Sequence, residues 1–398
     1  MNPKLQLLQP YPFEKLRQLF NGIVPNAQLK PINLSIGEPK HATPQFIRDA
    51  LSSNLDGLAG YPTTIGRDSL RQAIADWLQR RYGVTQIDPA TQIIPTLGSR
   101  EALFSFAQAV LDGSKSDGLV LCPNPFYQIY EGAALLAGLR PYFINTLSET
   151  AYRLNWASVP DDIWRRVQLV FTCSPGNPNG AVMTLDEWRE LFVLSDKYGF
   201  VIAADECYTE IYFDEANPPL GALQAARQLG RDDFPRLVVL GSLSKRSNVP
   251  GMRSGFAAGD ATIIKQFSLY RTYHGSAMGG AIQAASEAAW KDEAHVRENR
   301  RLYTEKFDTF YDAINPVMPL IKPAASFYYW VRTPIDDKDF AVRLLRDTNV
   351  TVLPGSLLGR DVHGMNPGQN FVRIALVSST AESSEAANRI RNFIEQLS

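Results

Sequence analysis

Short, continuously apolar segments alternate with segments of helical periodicity through the middle of this 398-residue chain. Helical patterns occur at Arg100–Leu111, Ile129–Ala137 and Leu185–Tyr198. Apolar strands separated by helices are typical of a parallel sheet that is covered on both faces. The pattern therefore predicts an α/β fold in which helices sandwich a mostly parallel seven-stranded sheet. The predicted strands are Gln92–Thr96, Gly118–Cys122, Arg140–Ile144, Gln168–Thr172, Val201–Ala204, Leu237–Leu240 and Gly255–Ala258.

The pattern changes after about residue 275, where a smaller α+β domain is expected. We predict one long helix over Ala277–Ile314, ending near Asn315-Pro316. Three parts are expected: an N-terminal segment (residues 1–44) that packs on the small domain or on a partner subunit, a large domain (45–280) and a small domain (281–398). The other elements predicted in the small domain are strands at Phe327–Val331, Thr351–Leu353 and Phe371–Val377, and helices at Lys338–Thr348 and from Ala381.

Composition and charge narrow the functional classes. A net charge of −1 gives no reason to expect nucleic acid or an anionic membrane as a partner. The longest apolar stretch falls short of the ~20 residues that a membrane-spanning helix needs. Three cysteines without a C-x-x-C pair, and four histidines without ligand spacing, predict no metal site. Free thiols, together with an N-terminus that lacks a signal-peptide core, predict a cytoplasmic protein.

The run Ser-Leu-Ser-Lys-Arg-Ser-Asn-Val-Pro-Gly-Met-Arg-Ser-Gly, residues 242–255, carries the clearest chemical signal. It places the amine of Lys245 close to the hydroxyls of Ser242 and Ser244 and the guanidinium of Arg253. Lysine forms Schiff bases with carbonyl compounds, and arginine binds phosphate groups well. Taken by itself, the run is also explained by an exposed basic loop.

Three further features point to the same place. Asp205 ends an apolar strand in Ala-Ala-Asp-Glu-Cys-Tyr, Asn177 follows another strand in Ser-Pro-Gly-Asn-Pro-Asn-Gly, and Arg373 lies within Phe-Val-Arg-Ile-Ala. Ligands bind at the carboxyl ends of strands in doubly wound sheets. A strand-end acid, a turn and a cross-strand arginine are the ordinary alternatives, but their joint occurrence in this order favours one site.

In these residues the chain resembles the class I/II aminotransferases of fold-type I, which depend on pyridoxal 5′-phosphate (PLP). The shared patterns are S-x-S-K-x-x-x-x-P-G-x-R-x-G, N-P-x-G, D-E-x-Y and the C-terminal arginine. The resemblance covers nearly the whole chain. It implies the fold of those enzymes, PLP as the cofactor, and ping-pong transfer of an amino group from an amino acid to a 2-oxo acid through a Schiff base on Lys245.

The resemblance also implies a role for each matching residue. Lys245 would form the Schiff base and move the proton, Asp205 would pair with the ring nitrogen, and Tyr208 would bind the 3-oxygen of the ring. The implied catalytic residues are Lys245, Asp205 and Tyr208. The implied cofactor contacts, which include backbone groups of Ser99 and Arg100, are Tyr61, Ser99, Arg100, Tyr127, Asn177, Asp205, Tyr208, Ser242, Ser244, Lys245 and Arg253.

On the substrate side, the resemblance implies contacts from Gly37, Asn177 and Arg373. Arg373 would hold the substrate α-carboxylate through a bidentate pair, for which lysine is a poor substitute. Tyr61 matches a tyrosine that reaches a cofactor phosphate across a subunit interface. The resemblance therefore implies a homodimer with composite active sites.

The pair Lys40-His41 resembles the succinyldiaminopimelate aminotransferases of bacterial lysine biosynthesis. Their oxo substrate carries additional carboxylates, for which Lys40, Arg271 and His274 are the candidate partners. We therefore expect N-succinyl-L,L-diaminopimelate and 2-oxoglutarate as substrates. The alternatives are an aspartate, alanine or aromatic amino-acid aminotransferase, and a PLP-dependent carbon–sulfur β-lyase.

Overall fold

The computed structural model describes residues 1–397, and the counts in this paragraph refer to them. Twelve strands form: β1 Ile32–Asn33, β2 Ile93–Thr96, β3 Leu119–Asn124, β4 Arg140–Asn145, β5 Val167–Cys173, β6 Val201–Asp205, β7 Leu237–Ser242, β8 Gly255–Gly259, β9 Tyr328–Arg332, β10 Val350–Thr351, β11 Leu353–Pro354 and β12 Phe371–Ala375. Fourteen α-helices form: α1 Pro12–Leu19, α2 Gln45–Ser52, α3 Asp68–Tyr82, α4 Ser99–Val110, α5 Ile129–Ala137, α6 Asp161–Trp164, α7 Leu185–Tyr198, α8 Ala222–Gln228, α9 Leu243–Arg246, α10 Ala261–His274, α11 Gly280–Lys291, α12 Ala294–Ile314, α13 Asp337–Thr348 and α14 Thr380–Leu397. Short 3-10 helices are Pro3–Leu7, Leu55–Ala59, Ser148–Thr150, Trp156–Ser158, Pro250–Met252 and Gly355–Leu357.

Seven strands form one central sheet in the order β2-β8-β7-β6-β5-β3-β4. Neighbouring strands are parallel except at β8, which runs antiparallel to both β2 and β7. The predicted mostly parallel seven-stranded sheet is therefore confirmed. Since β2, β3, β5, β6 and β7 point the same way, their carboxyl ends lie along one edge of the sheet.

Alternate residues of the central strands pack into two separate hydrophobic layers, because successive side chains of a strand point to opposite faces. Val170 and Ile202 lie in a layer with residues of α3, α7 and α11. Phe171 and Ala203 lie in a layer with residues of α4, α5 and α10. Helices thus cover both faces, as the continuously apolar strands predicted.

The predicted start of α7 is confirmed at atomic detail. Thr184 Oγ1 accepts a hydrogen bond from the backbone N–H of Glu187, and the Glu187 carboxylate accepts one from the backbone N–H of Thr184. This reciprocal capping box satisfies two otherwise unpaired donors. The helix ends at Tyr198, and the next residue, Gly199, has a φ of 82°, a left-handed conformation that glycine adopts without strain.

The smaller, C-terminal sheet has the order β11-β12-β9 and is antiparallel. The predicted single strand Thr351–Leu353 is wrong: two short strands, β10 and β11, replace it. β10 pairs in parallel with β1 of the N-terminal segment, whereas β11 pairs with β12. The cause is the pairing of β1 with a strand more than 300 residues away, which a local pattern does not contain.

The predicted helix Ala277–Ile314 is also wrong, because the structure divides it into α11 and α12. The break lies at Asp292, whose extended backbone ends α11. Asp292 Oδ1 accepts a hydrogen bond from the backbone N–H of His295 at 3.0 Å, and it also lies 2.6 Å from the ring Nδ1 of His295. Aspartate favours this capping arrangement over a helix interior. The predicted end of the helix, near Asn315-Pro316, is confirmed by the end of α12 at Ile314.

The N-terminal segment packs against C-terminal elements of this same chain. Besides the pairing of β1 with β10, Leu16 of α1 lies in a hydrophobic cluster with Trp330, Leu353 and Phe371. Thus α1 and β1 bring the following loop, which begins at Leu34, to the carboxyl edge of the central sheet.

Candidate active site

A cavity of about 530 Å³ opens at the carboxyl edge of the central sheet. Its walls come from the turns after β2, β3, β5, β6 and β7, from the N-terminal segment and from β12. Apart from Tyr61, the predicted site residues line this one cavity: Gly37, Ser99, Arg100, Tyr127, Asn177, Asp205, Tyr208, Ser242, Ser244, Lys245, Arg253 and Arg373. The topology thus brings together residues that are up to 336 positions apart, from Gly37 to Arg373.

Lys245 lies on α9, a single turn that starts directly after β7. Ser242 caps this turn, since its Oγ accepts a hydrogen bond from the backbone N–H of Ser244 at 3.1 Å. Lys245 Nζ donates to the carbonyl oxygen of Gly37 at 2.8 Å. Burial lowers the pKa of Lys245 to about 8, and the charges of Arg373 and Arg100 act in the same direction. About a tenth of this amine is therefore neutral at pH 7, far more than of a lysine with an ordinary pKa. The neutral form is the one that attacks a carbonyl group.

Asp205 ends β6 at the floor of the cavity and is buried. Its Oδ2 accepts a hydrogen bond from Tyr130 Oη at 2.7 Å, and its Oδ1 accepts one from the backbone N–H of Cys207 at 3.3 Å. Burial raises the pKa of Asp205, while the hydrogen bonds from Cys207 and Tyr130 and the charge of Lys245 oppose that rise. The site therefore holds a buried carboxylate suited to pair with one cationic partner.

Arg373 projects from β12 and is 4% exposed. Its Nη1 donates to Asn177 Oδ1 at 3.0 Å and its Nη2 to the carbonyl oxygen of Ser35 at 2.8 Å. The guanidinium carbon lies 4.3 Å from the ring centroid of Tyr328. Its Nε is buried without a hydrogen-bond partner among residues 1–397. The aromatic ring fixes this guanidinium and leaves donor capacity for a ligand.

Tyr208 and Tyr328 form a second polar wall, with their hydroxyl oxygens 3.0 Å apart. Burial raises the pKa of both hydroxyls, so both are neutral hydrogen-bonding groups at physiological pH. A side chain at Gly37 would place its Cβ only 1.8 Å from Tyr328 Oη. Glycine is therefore required there for the loop to lie against the tyrosine pair.

The other end of the cavity is suited to an anion. The twelve-residue helix α4 begins there at Ser99, and Arg253 donates to the carbonyl oxygens of Pro250 (2.9 Å) and Leu97 (3.3 Å). Gly98 has a φ of 79°, and a Cβ on it would lie 2.5 Å from Arg253 Nη2. The helix N-terminus, the guanidinium and the nearby serine hydroxyls are groups that suit an anion such as phosphate.

Arg100 contributes its side chain as well as its backbone, which the sequence analysis did not predict. Its Nε donates to Tyr127 Oη at 2.6 Å, and the guanidinium carbon lies 6.0 Å from the ring centroid of Tyr11. Within residues 1–397 no hydrogen bond is recorded for its two terminal nitrogens. These nitrogens can therefore serve a second anionic group of a ligand in the cavity.

Four other sequence candidates lie elsewhere. Tyr61 is fully exposed, with 104% relative accessibility, and does not line the cavity of its own chain. Arg271 is fully buried and paired with Glu101 at 2.7 Å, so the hypothesis that it binds a distal carboxylate is wrong. Lys40 and His274 also lie outside the cavity, with Lys40 Nζ 3.2 Å from Ser378 Oγ and His274 in contact with Ser276.

Sequence reasoning missed Tyr130, Tyr328 and Glu38. Tyr130 lies on α5 only three residues after Tyr127, and this closeness in sequence to a predicted site residue is the one signal that could have revealed it. Tyr328 opens β9 and Glu38 follows Gly37, but neither carries a local signal of its own. Their roles depend on contacts across the fold.

Fold and site together define a class. A doubly covered α/β sheet that gathers a buried lysine amine, a buried carboxylate and an arginine with free donor capacity around one cavity is suited to chemistry on amino acids through a carbonyl group.

The comparisons with known proteins agree with that class. The profile of the family "Aminotransferase class I and II" matches residues 30–390. An LL-diaminopimelate aminotransferase from Nitratidesulfovibrio vulgaris is 33% identical over 393 residues, or 97% of each chain. The crystal structure of an aminotransferase from Neisseria meningitidis is 51% identical, with a TM-score of 0.96 over 99% of this chain and 100% of the other. The structure of a probable N-succinyldiaminopimelate aminotransferase from Thermus thermophilus is 29% identical, with a TM-score of 0.81 over 92% of this chain and 95% of the other.

The chain belongs to the class I and II aminotransferase family, and it is an enzyme of the transaminase type. The predicted fold-type I architecture is confirmed, and this family implies PLP chemistry. In the described part of the chain, no helix has the length and apolar character to cross a lipid bilayer.

Proposed function

We propose that the protein transfers the amino group of a dicarboxylic or longer, multiply charged amino acid to a 2-oxo acid, with PLP as its cofactor. The observation that carries this proposal is the placement of Lys245, Asp205 and Arg373 around one cavity. Its charged lining residues are four cations (Arg100, Lys245, Arg253, Arg373) and two anions (Glu38, Asp205). This excess of positive charge favours a ligand with a phosphate and several carboxylates.

The residues present fit PLP. The buried Asp205 carboxylate would pair with the ring nitrogen, Tyr208 and Asn177 would bind the 3-oxygen, and Tyr127 would lie against the ring. The phosphate would be held by Ser99, Ser242, Ser244 and Arg253, where the Gly98 backbone admits the guanidinium. When bound, PLP supplies the carbonyl group that condenses with amines and an electron sink for carbanion chemistry.

Lys245, Asp205 and Arg373 would each have a separate role in the reaction. Lys245 Nζ, with its lowered pKa, would act as the base that takes the Cα proton of the amino-acid donor. Asp205 would keep its partner cation in place because its carboxylate is desolvated and already oriented by Tyr130. Arg373 would hold the α-carboxylate, and thereby orient the Cα–H bond toward Lys245.

Substitution of Arg373 tests the carboxylate role. We expect Arg373→Lys to raise KM for amino donors by roughly tenfold or more, because lysine cannot reproduce a planar bidentate pair. Initial rates over a range of donor concentrations measure this change. Arg332→Lys is the matched control, since Arg332 lies on the adjacent strand opposite Phe371 and is exposed. An unchanged KM for every donor would exclude the role.

Arg100 offers a test of the substrate class. We expect Arg100→Gln to raise KM for glutamate by roughly tenfold while that for alanine stays within about twofold, because the terminal nitrogens of Arg100 would serve only the distal carboxylate. Arg140→Gln, an exposed residue outside the cavity, is the control. Equal losses for glutamate and alanine would show that Arg100 does not discriminate donors by a second carboxylate.

For the particular substrate we propose N-succinyl-L,L-diaminopimelate with 2-oxoglutarate, as in bacterial lysine biosynthesis. The likeness to the Thermus thermophilus protein supports this choice. The second candidate is unsuccinylated LL-diaminopimelate, which the names of several relatives at 29–33% identity favour. Both carry the additional carboxylate that a cationic cavity suits.

A half-reaction screen separates these candidates. The PLP-loaded enzyme is mixed with glutamate, aspartate, alanine, phenylalanine, LL-diaminopimelate and its N-succinyl derivative, and conversion of the cofactor to its amine form is followed by absorbance. Rapid conversion by glutamate and one of the two diaminopimelates identifies the substrate. Rapid conversion by aspartate, alanine or phenylalanine alone would assign the alternative aminotransferase activities, and pyruvate release without the amine form would assign a β-lyase.

We further propose that the enzyme is a homodimer with divided active sites. Tyr61 is fully exposed in this chain and has no role in its own cavity, which suits a residue that reaches the phosphate site of a second copy. The three-part division into residues 1–44, 45–280 and 281–398 belongs to the same proposal.

A further inference from the structure

A chain of hydrogen bonds connects a buried lysine of α12 to the backbone of the catalytic lysine. Lys306 Nζ lies 2.6 Å from His41 Nε2, and His41 Nδ1 lies 2.7 Å from Asn299 Oδ1. Asn299 Nδ2 donates to the carbonyl oxygens of Lys245 (3.3 Å) and Arg246 (3.5 Å). Lys306 is 1% exposed and Asn299 is 2% exposed. Lys306 and Asn299 are therefore buried, whereas His41 between them is half-buried.

The partners fix the direction of every hydrogen bond in this network. Because the Asn299 amide nitrogen donates to carbonyl oxygens, its Oδ1 is an acceptor, and Nδ1 of His41 must carry the proton. The Nε2 atom of a neutral imidazole is then an acceptor, which suits the Lys306 ammonium. Burial, with the charge of Lys306, also lowers the pKa of His41. His41 is thus held neutral, in the Nδ1–H form.

The loop after β1, which contains Gly37 and His41, contacts Lys245 directly at one point and through Asn299 at another. The carbonyl oxygen of Gly37 accepts from Lys245 Nζ, and four residues later His41 reaches the Lys245 backbone through Asn299. Thr43 Oγ1 adds a hydrogen bond to the carbonyl oxygen of Asn248. The helix that carries Lys245 has only four residues and cannot by itself fix its own orientation.

We infer that His41 is a positioning residue: its Nδ1–H group, acting through Asn299, holds the backbone of Lys245 and the Gly37 loop in register, so that the amine is aimed into the cavity. This inference rests on the proposed aminotransferase function. Lys306 contributes by requiring an acceptor at Nε2, and so sets the tautomer of His41. His41 thus acts on the reaction without touching the substrate.

Two substitutions separate the two nitrogens of the ring. Asparagine places an amide donor near the position of Nδ1, whereas glutamine places a carbonyl acceptor near that of Nε2. We expect His41→Asn to keep the half-reaction rate constant within about twofold of the wild-type value. We expect His41→Gln to lower it roughly tenfold, with an unchanged apparent Kd for glutamate, as loss of one buried hydrogen bond predicts. The same two substitutions at exposed His363 are the controls, with no change expected.

A second readout does not depend on turnover. In the cofactor-free chain, competitive acetylation followed by mass spectrometry measures the reactivity of Lys245 against exposed Lys115. We expect His41→Gln to raise the reactivity of Lys245 by about threefold, because Nζ is released from Gly37, and His41→Asn to leave it unchanged. The inference would be overturned if the two substitutions had equal effects or if His41→Asn had the larger effect. It would also be overturned if His41→Gln changed neither the half-reaction rate nor the reactivity of Lys245.

The tautomer itself can be measured in the wild-type protein, so the inference stays testable if a variant fails to fold. The chain has four histidines, and imidazole nitrogen NMR on histidine-labelled protein can resolve each of them. We expect the resonance that disappears in a His41 variant to show a protonated Nδ1 and an unprotonated Nε2 at neutral pH. A cationic ring or an Nε2–H tautomer would refute the inference, whereas failure of the proposed function would leave this result intact.

Discussion

Lys245→Ala is expected to lower the rate of amino transfer by at least about four orders of magnitude, because it removes both the nucleophile and the general base. The pKa of Lys245 is lowered to about 8, so the lost group is an amine that is readily deprotonated in the wild-type enzyme. Turnover with glutamate and 2-oxoglutarate measures the loss. The absorbance change that accompanies covalent attachment of PLP to lysine should disappear at the same time.

The control for this substitution is Lys115→Ala, which removes an exposed lysine from the loop before β3. It should leave both turnover and cofactor absorbance unchanged. Thermal unfolding of the two variants separates a chemical loss from a folding defect. Near-normal turnover in a folded Lys245→Ala protein would remove Lys245 from the mechanism.

Asp205→Asn is expected to lower the rate by roughly a thousandfold. The substitution keeps the shape of the side chain and an oxygen that can accept from Tyr130, but it removes the negative charge that would pair with the ring nitrogen. Breaking one partner of a buried ion pair costs about 3–5 kcal/mol, which converts to two to four powers of ten in rate. Single-turnover kinetics with saturating glutamate measure this effect.

Asp117→Asn is a matched control, since Asp117 is exposed and lies before β3. PLP affinity should also fall in Asp205→Asn, and equilibrium titration of the cofactor-free protein reports it. A folded Asp205→Asn enzyme with wild-type rate and wild-type affinity would contradict the assignment of Asp205 to the ring nitrogen.

The pattern of apolar strands and helices was enough to predict the central sheet and its helical layers. Strands such as β5 and β6 are apolar on both faces, and this property follows from their burial between two layers of helices. The predicted site residues were identifiable for a related reason. Lys245, Asp205, Asn177 and Arg373 carry chemical groups that few other side chains can replace. Asp205 ends a strand, and Asn177 and Lys245 follow within four residues of a strand end.

The sequence predictions were wrong where the structure depends on contacts between residues that are distant in sequence. No local sequence pattern around Thr351 indicates that β10 pairs with β1, which contains Ile32. Arg271 has the charge expected of a carboxylate ligand, but Glu101, 170 residues earlier, neutralises it in the core. Conversely, Arg100 was expected to act through its backbone, and only the fold shows its side chain beside Tyr127.

The sequence by itself determined the fold class, the order of most elements and the residues of the candidate site, because periodicity and reactive groups are local properties of the chain. The tertiary structure alone decided that Tyr130 orients Asp205, that Tyr328 supports Arg373, and that Lys306, His41 and Asn299 reach the backbone of Lys245. Each of these contacts joins residues that are far apart in sequence. Their hydrogen bonds and ring contacts form only after the hydrophobic layers have brought the elements together.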